Sequence, residues 1–301
     1  MRYLVTGAAG FIGSHLAEAL AARGDDVVAV DSFTDYYDPA EKEENARGLD
    51  VVRIDLADES LDLAGVDGVF HLAGQPGVRS FGDVFPLYLR RNVLATQRVL
   101  EAVSGTGVRV VYASSSSVYG NAERYPTPED TVPQPISPYG ITKLACEHLA
   151  LAYGLDAVGL RYFTVYGPRQ RPDMLFRRLC DALAAGGTIE LYGSGEQSRS
   201  FTEVADVVRA TIAAMEGAPA GALYNVGGGE EASVLEAIAL LESVSGLTLD
   251  ARHVDPARGD VRRTKADVSR IRDAVGWEPQ VPLADGLSRM WAWASARVAT
   301  P

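Results

Sequence analysis

Arg2-Tyr-Leu-Val-Thr6 runs directly into Gly7-Ala-Ala-Gly10-Phe11-Ile12-Gly13, and that turn into Ser14-His-Leu-Ala-Glu-Ala-Leu-Ala-Ala-Arg23. The first run reads as a short buried strand and the last has helical character, so the order is strand, glycine turn, helix. Glycines at such a turn permit a sharp reversal, close backbone approach to a pyrophosphate and tight packing of helix on strand. The helix start offers free N–H groups and a positive dipole end to phosphates. Gly7, Gly10, Phe11, Ile12 and Gly13 are therefore candidate cofactor-binding residues. A second apolar run, Asp26-Val-Val-Ala-Val-Asp31, ends in an acid. Such an acid can bind both adenosine ribose hydroxyls and repels a 2′-phosphate, which favours NAD over NADP.

Further strand-like runs alternate with helical stretches through the first half. Val51-Val-Arg-Ile-Asp55 is a third strand, with Asp55 and Leu56 placed to approach the adenine. Gly68-Val-Phe-His71-Leu72-Ala73-Gly74 is a fourth, ending in small residues where a cofactor backbone can pass; His71 reads as structural. Tyr88 to Val103 reads as a helix that carries Asn92, a further cofactor candidate. Val108-Arg-Val-Val-Tyr-Ala113 is the fifth strand, and it delivers four consecutive serines, Ser114 to Ser117. Alternating strands and helices imply a doubly wound α/β parallel sheet, and ligands bind such sheets outside the carboxyl ends of the strands. The serines thus arrive where the nicotinamide belongs. A proline-rich loop, Pro126 to Pro138, leads into Tyr139-Gly-Ile-Thr-Lys143.

Tyrosine and lysine four apart share one helix face. An ammonium beside a phenol favours the phenolate, and a nearby serine hydroxyl can share the substrate proton. That is a general acid/base suited to alcohols and ketones. Ser115, Tyr139 and Lys143 are the candidate catalytic residues, and lysine otherwise occurs only at positions 42 and 265.

The chain has 301 residues, 47% of them hydrophobic, enough for one large core or two unequal units. A formal net charge of −12 argues against nucleic acid or an anionic membrane surface as partner. Anionic ligands must be met by local arginines. Cys146 and Cys180 are the only cysteines, so a disulfide framework or zinc site is not expected. No apolar run reaches membrane-spanning length and the first strand starts at residue 2, so the expectation is a soluble, cytoplasmic protein.

Past Lys143 the pattern changes. Ala157 to Phe163 is another strand, followed by the polar loop Thr164-Val-Tyr-Gly-Pro-Arg169-Gln-Arg171-Pro-Asp173-Met174. Residues 175–185 look helical, Ile189 to Tyr192 is a short strand, and Val204 to Met215 is a helix returning to the first unit. Leu223-Tyr-Asn-Val226 precedes a glycine triplet, Gly227 to Gly229, that reads as a turn, and Ser233-Val-Leu-Glu236 has capping-box form. The expected division is a Rossmann NAD-binding unit, 1–163 plus 201–226, and a smaller C-terminal α/β substrate unit, 164–200 plus 227–301.

Together, Gly7-x-x-Gly10-x-x-Gly13, Asp31, Ser115, Tyr139-x-x-x-Lys143 and Arg161-Tyr-Phe-x-Val-Tyr-Gly-Pro168 resemble the extended short-chain dehydrogenase/reductase family over essentially the whole chain. Within it, Pro76-Gly-Val-Arg79-Ser and Arg161 to Met174 most resemble UDP-glucuronic acid 4-epimerases. The resemblance implies that Tyr139, assisted by Lys143, takes the proton of the sugar 4-hydroxyl while hydride passes to NAD. Ser115 relays the proton, and the 4-keto sugar turns over and recovers the hydride. NAD is then regenerated each turnover and stays bound, with Lys143 also holding the nicotinamide ribose.

The serine run separates the relatives. The 4,6-dehydratases typically carry Asp-Glu at the positions of Ser116 and Ser117, and uronate decarboxylases Glu at that of Ser117. Neither acid is here, so epimerisation is the expected outcome. A uronate 4-ketone is a β-keto acid that loses CO2 if its carboxylate aligns with the ketone; hydroxyls of Ser116, Ser117 and Thr164 are placed to pin it, with Arg171 as charged partner and Arg79 as a further candidate. Relatives often have Asn where Thr164 stands. For the UDP moiety the resemblance points to Arg199, Arg258 and Asp260. Phe201-Thr-Glu203-Val-Ala205-Asp206 departs from the usual Phe-Thr-Tyr-Val-Asp-Asp. A homodimer is expected through helices near 88–103 and 139–153. The alternatives are a 4-epimerase of neutral or N-acetylated UDP-hexoses, and an NAD-binding regulatory protein with a decayed site.

Overall fold

The computed structural model describes residues 1–255 and 261–298. β1 (Arg2–Thr6), α1 (Phe11–Ala22) and β2 (Asp26–Asp31) open the chain, followed by α2 (Pro39–Asn45), β3 (Val51–Arg53) and β4 (Gly68–His71). Next come α3 (Phe85–Tyr88), a π-helical turn Leu89–Leu94, α4 (Ala95–Val103), β5 (Arg109–Ser115), α5 (Pro138–Tyr153) and β6 (Ala157–Tyr162). Beyond them lie β7 (Thr164–Tyr166), α6 (Leu175–Ala185), β8 (Thr188–Tyr192), β9 (Ser198–Glu203), α7 (Val204–Gly217) and β10 (Leu223–Val226). The remaining elements are β11 (Glu231–Ser233), α8 (Val234–Ser245), β12 (Asp250–Val254), β13 (Arg263–Thr264), α9 (Ser269–Val275) and α10 (Leu283–Val298).

Seven strands form one parallel sheet in the order β3-β2-β1-β4-β5-β6-β10. The order 3-2-1-4-5-6 is the doubly wound dinucleotide-binding arrangement. Both faces are covered, which is why the strands read as unbroken apolar runs. One face packs Phe11, Leu16 and Leu20 of α1 with Val207, Ala210 and Ala214 of α7; the other packs Val99, Leu100 and Val103 of α4 with Ala150 of α5. A separate core lies under β7, β8 and β9, where Phe176 stacks between Tyr166 and Phe201 at centroid distances of 5.2 and 4.8 Å. The larger of these buried side chains contribute about 1.5–3 kcal/mol each by leaving water.

Three elements differ from the sequence reading. β4 stops at His71 because the Ala73 N–H turns away to the Thr6 hydroxyl (3.2 Å). β5 continues through Ser115, since Ser114 and Ser115 keep their ladder with Arg161 and Tyr162 of β6. The helix expected from Tyr88 to Val103 is broken by the π turn, whose extra residue aims Asn92 inward. Helix α8 carries the capping box, with Ser233 and Glu236 serving each other's backbone N–H. No helix among the described residues is long and apolar enough to cross a membrane.

Candidate active site

A cavity of about 720 Å³ follows the carboxyl ends of the parallel strands and reaches across to β7, β8 and β9. Its floor at one end is the glycine turn. Gly7 has φ +72°, and a Cβ there would lie 2.8 Å from the Ala73 nitrogen. A Cβ on Gly13 would lie 2.0 Å from the Gly7 oxygen, so α1 can start this close to β1 only without a side chain. Asp31 anchors the next strand end: its Oδ1 accepts from Phe33 N–H (2.8 Å) and its Oδ2 from Ala9 N–H (3.1 Å). Each oxygen keeps a lone pair for a ribose hydroxyl. Asp55 and Leu56 line the same end, with Asp55 fixed by the Ala57 N–H (3.0 Å) and Arg90 (2.9 Å). Phe11, Ile12, Gly10, Leu72 and Ala73 also line it. A glycine cradle that any Cβ would fill, next to a carboxylate with free lone pairs, fits the diphosphate and ribose of NAD.

Asn92 does not line the cavity. Its amide is consumed by the Gln75 N–H (2.7 Å), the Gln75 carbonyl (3.1 Å) and the Thr142 hydroxyl (3.0 Å), so it positions the strand end rather than touching a ligand. His71 is equally internal, 3% exposed between Thr6 (2.8 Å) and Thr96 (3.1 Å), and burial pushes its pKa down to about 3.

At the middle of the cavity the serine turn meets the first turn of α5. Ser137 caps that helix by accepting from the Gly140 N–H (3.1 Å), and Pro138 sits inside its first turn. A Cβ on Gly140 would lie 2.6 Å from the Ser117 oxygen, so this glycine is what lets the helix rest on the serines. Ser115, Ser116, Ser117, Tyr139 and Lys143 all face the cavity. The Ser115 hydroxyl lies 3.1 Å from that of Ser117 and accepts from the Ser117 N–H (3.2 Å). Lys143 is buried, donates to the Ala113 carbonyl (2.8 Å) and lies 5.9 Å from the Tyr139 ring centroid. Ser114, one residue earlier, points to the opposite face of β5 and bonds Glu147.

Thr164, Arg171, Arg79 and Arg199 line the far end. Arg171 is held by Asp173, Nε to Oδ1 at 3.0 Å and Nη2 to Oδ2 at 3.1 Å, and Asp173 also accepts from the Tyr36 hydroxyl (3.1 Å). Burial alone would raise the Asp173 carboxyl, but Arg171 beside it holds it below its usual range. Burial, with Asp173 adding, pushes Tyr36 up to about 12. Arg79 lies over the Tyr192 ring at 4.7 Å, and Arg199 donates to the Ser198 (2.8 Å) and Val261 (2.6 Å) carbonyls. Arg258 and Asp260 lie outside the described residues. Glu203 caps α7 through the Ala205 N–H (2.6 Å), and the fully buried Asp206 accepts from Gln280 and Val281 N–H (3.0 Å each), so neither acid of that departing motif faces the cavity.

Sequence reasoning missed Thr34, Tyr36, Tyr37, Lys42, Gln75, Arg91, Asp173 and Tyr192, all of which line the cavity. One signal was available. Tyr36 and Tyr37 follow Asp31 closely on the loop that must leave the ribose end, and the rare lysine at 42 comes just after them.

Hydroxyl, phenol and ammonium converging at the carboxyl end of β5, above a glycine turn and an acid at the end of β2, define an NAD-linked short-chain dehydrogenase/reductase of the extended type. More particularly, the NAD dependent epimerase/dehydratase family matches residues 3–227, and the chain belongs to it. Over 99% of its length it is similar to all of a Bacillus cereus UDP-glucuronic acid 4-epimerase solved with UDP-glucuronic acid and NAD, at 39% identity and a TM-score of 0.95. MoeE5, solved with UDP-glucuronic acid and NAD and also with UDP-glucose and NAD, is 43% identical with a TM-score of 0.88, covering 99% of this chain and 100% of that one. YtcB of Bacillus subtilis strain 168, named as an uncharacterised UDP-glucose epimerase, is 41% identical over 98% of each chain.

Proposed function

We propose that this chain is an isomerase that interconverts UDP-glucuronate and UDP-galacturonate by inverting C4. The observation that carries the reading is the hydroxyl-only set at the reacting end. Ser115, Ser116 and Ser117 line the cavity with Tyr139, Thr164 lines it further along, and the acid Asp173 is already engaged by Arg171 and Tyr36. Dehydration and decarboxylation each need a free carboxyl group there.

Tyr139 accepts the proton of the sugar 4-hydroxyl and later returns it to the same oxygen. Ser115 hydrogen-bonds that oxygen and shares the proton. Lys143 is held near the phenol by its bond to the Ala113 carbonyl. NAD, when bound, supplies the electron chemistry by taking the C4 hydrogen with its electron pair and giving it back on the other face. One C–H and one O–H bond break and are remade, so no external oxidant is consumed. Glycine turn, Asp31, Asp55, Leu56, Leu72 and Ala73 would hold that cofactor, in a unit we take as residues 1–163 with 201–226. Residues 164–200 and 227–301 would hold the UDP-sugar, Arg79, Arg171 and Arg199 meeting its charges.

One observation favours a second reading. Because Asp173 neutralises Arg171, the sugar end is closer to neutral than its arginine suggests, which suits a UDP-hexose. Steady-state rates on UDP-glucuronate, UDP-glucose and UDP-N-acetylglucosamine decide the matter: a kcat/KM preference for the acid is expected, and its absence rejects the uronate. Tyr139→Phe should cost about 10²–10⁴ in kcat, the usual range for general acid/base loss; full turnover in that variant would remove Tyr139 from the proton transfer, and no turnover by the parent on any of the three would leave only a non-catalytic NAD-binding role. We also infer a cytoplasmic homodimer. Leu87, Leu94, Ile141 and Leu151 are exposed on the segments expected to pair, and a sedimentation mass of one chain would reject it.

A further inference from the structure

We propose that helix α2 is a latch that retains the cofactor, and that the ion pair between Glu41 and Arg177 closes it from the substrate side. The proposal rests on the NAD reading of the cavity, but not on which sugar the enzyme takes.

Three residues of α2 reach three different partners. Lys42, 6% exposed, lines the cavity, donates to the Thr34 hydroxyl (2.8 Å) and lies 5.1 Å from the Tyr37 ring centroid. Asn45 donates to the Ala9 carbonyl inside the glycine turn (3.3 Å). Glu41 faces the other way and accepts both Nη groups of Arg177 on α6, at 2.9 and 3.0 Å. One short helix therefore touches the phosphate cradle, the cavity and the opposite unit at once.

α2 spans seven residues, from Pro39 to Asn45. Helices that short have no stability of their own in water, so side-chain ties decide where α2 rests. The tie to Arg177 is unusually well built. Arg177 is 5% exposed, its Nε bonds both Asp181 oxygens (2.9 and 2.8 Å), and its guanidinium lies over Trp293 of α10 at 5.1 Å. Exposed ion pairs contribute little, but this one is two-pronged with partners 6% and 21% exposed, where loss of one member is felt. Arg297 adds a second cation 3.5 Å from Glu41.

The same arginine also orders the loop carrying Arg171 and Asp173. Its Nη1 donates to the Gln170 carbonyl (3.3 Å), and its own N–H donates to the Gln170 side chain (3.0 Å). A second strut runs from Tyr36, just before α2, to Asp173 (3.1 Å). Swinging α2 outward would break these ties and withdraw Lys42 and Asn45 together. In a chain of net charge −12, withdrawing a buried lysine leaves an anionic dinucleotide with less to hold it. Retention across many turnovers is what a cofactor regenerated on every cycle requires.

The test uses purified holoenzyme and reads bound NAD, not turnover. NAD content is measured after denaturation, and its release rate by exchange against a fluorescent NAD analogue, for the parent, Glu41→Gln, Arg177→Lys and the control Glu216→Gln, which breaks an exposed pair with Arg23 (2.6 Å). The melting midpoint of the NAD-free proteins is followed in parallel. Losing one charge-assisted contact predicts release about ten times faster or more in Glu41→Gln, a smaller rise in Arg177→Lys, none in the control, and NAD-free midpoints within a few degrees of the parent. A parent that holds NAD while Glu41→Gln releases it no faster overturns the latch alone. A parent that neither carries nor takes up NAD overturns the cofactor reading, and the latch with it.

Discussion

Replacing Glu147 tests whether the floor beneath the serine turn is a single coupled unit. Glu147 and Arg161 are 8% and 4% exposed and joined by two bonds, Nε to Oε1 at 2.9 Å and Nη2 to Oε2 at 2.8 Å. Arg161 also donates to the Tyr119 hydroxyl (2.7 Å) and the Glu129 carbonyl (3.2 Å), and Tyr119 donates to Asn225 (2.7 Å). Ser114 completes the set, so β5, β6, β10 and α5 share one polar network. Removing one member of a buried pair leaves the other charge stranded, at a cost of about 3–5 kcal/mol. Glutamine keeps one oxygen acceptor, so Glu147→Gln belongs near the lower figure and Glu147→Leu near the upper. With an unfolding entropy of about 2.1 cal/mol/K per residue, 301 residues convert this to a fall of about 5–8 °C in melting midpoint. The assay is calorimetry on NAD-free protein, extended to the double variant Glu147→Leu/Arg161→Met. Because the double variant strands no charge, it should lie closer to the parent than the sum of the singles, with a coupling above about 1 kcal/mol. Additive singles and double, within about 0.5 kcal/mol, would refute the argument and reduce the network to independent bonds.

Two further outcomes follow from the site. Ser117→Ala removes one hydroxyl proposed to pin the substrate carboxylate; a lost bond to a charged group is worth about 1.5–3 kcal/mol, so the UDP-pentose by-product should rise about tenfold or more relative to epimer, and chromatography showing no pentose would reject the pinning. His71 has its pKa lowered by burial, with Lys143 adding, so below the ordinary value near 6.5 the unfolded chain binds a proton that the folded chain refuses until about pH 3. Stability should therefore fall by about 1.4 kcal/mol for each pH unit of acidification across that window, and a His71→Gln variant showing the parent's slope in denaturant titrations would refute the assignment.

The glycine turn, the ribose acid and the Tyr139–Lys143 pair were legible because each is a local pattern whose spacing carries its own geometry. Strand ends were less so, since they are decided by partners far away in sequence. β5 outlasts its apolar run because Arg161 and Tyr162 continue the ladder opposite Ser114 and Ser115. Asn92 shows the same limit from the other side. A polar residue in a helix beside the cofactor strand invites a ligand role, yet a single π turn hands its amide to Gln75 and Thr142. No periodicity in the sequence announces that turn.

Charge was the least legible quantity at the sugar end. Read along the chain, Arg171 is a cation offered to a carboxylate. In the fold Asp173 takes both its Nε and its Nη2, and the Tyr36 hydroxyl reinforces that pairing. A substrate carboxylate must then displace Asp173 or share the guanidinium with it, and either costs part of the attraction that the arginine alone would offer. Discrimination between a uronate and a hexose cannot rest mainly on that arginine. It must rest on neutral donors that lose a partner when the substrate lacks a carboxylate, since buried polar groups left unpaired are what make recognition steep. Ser116 and Ser117 line the cavity with Tyr139 and Thr164 lines it further along, which makes these hydroxyls, rather than the arginine, the place where specificity has to be measured.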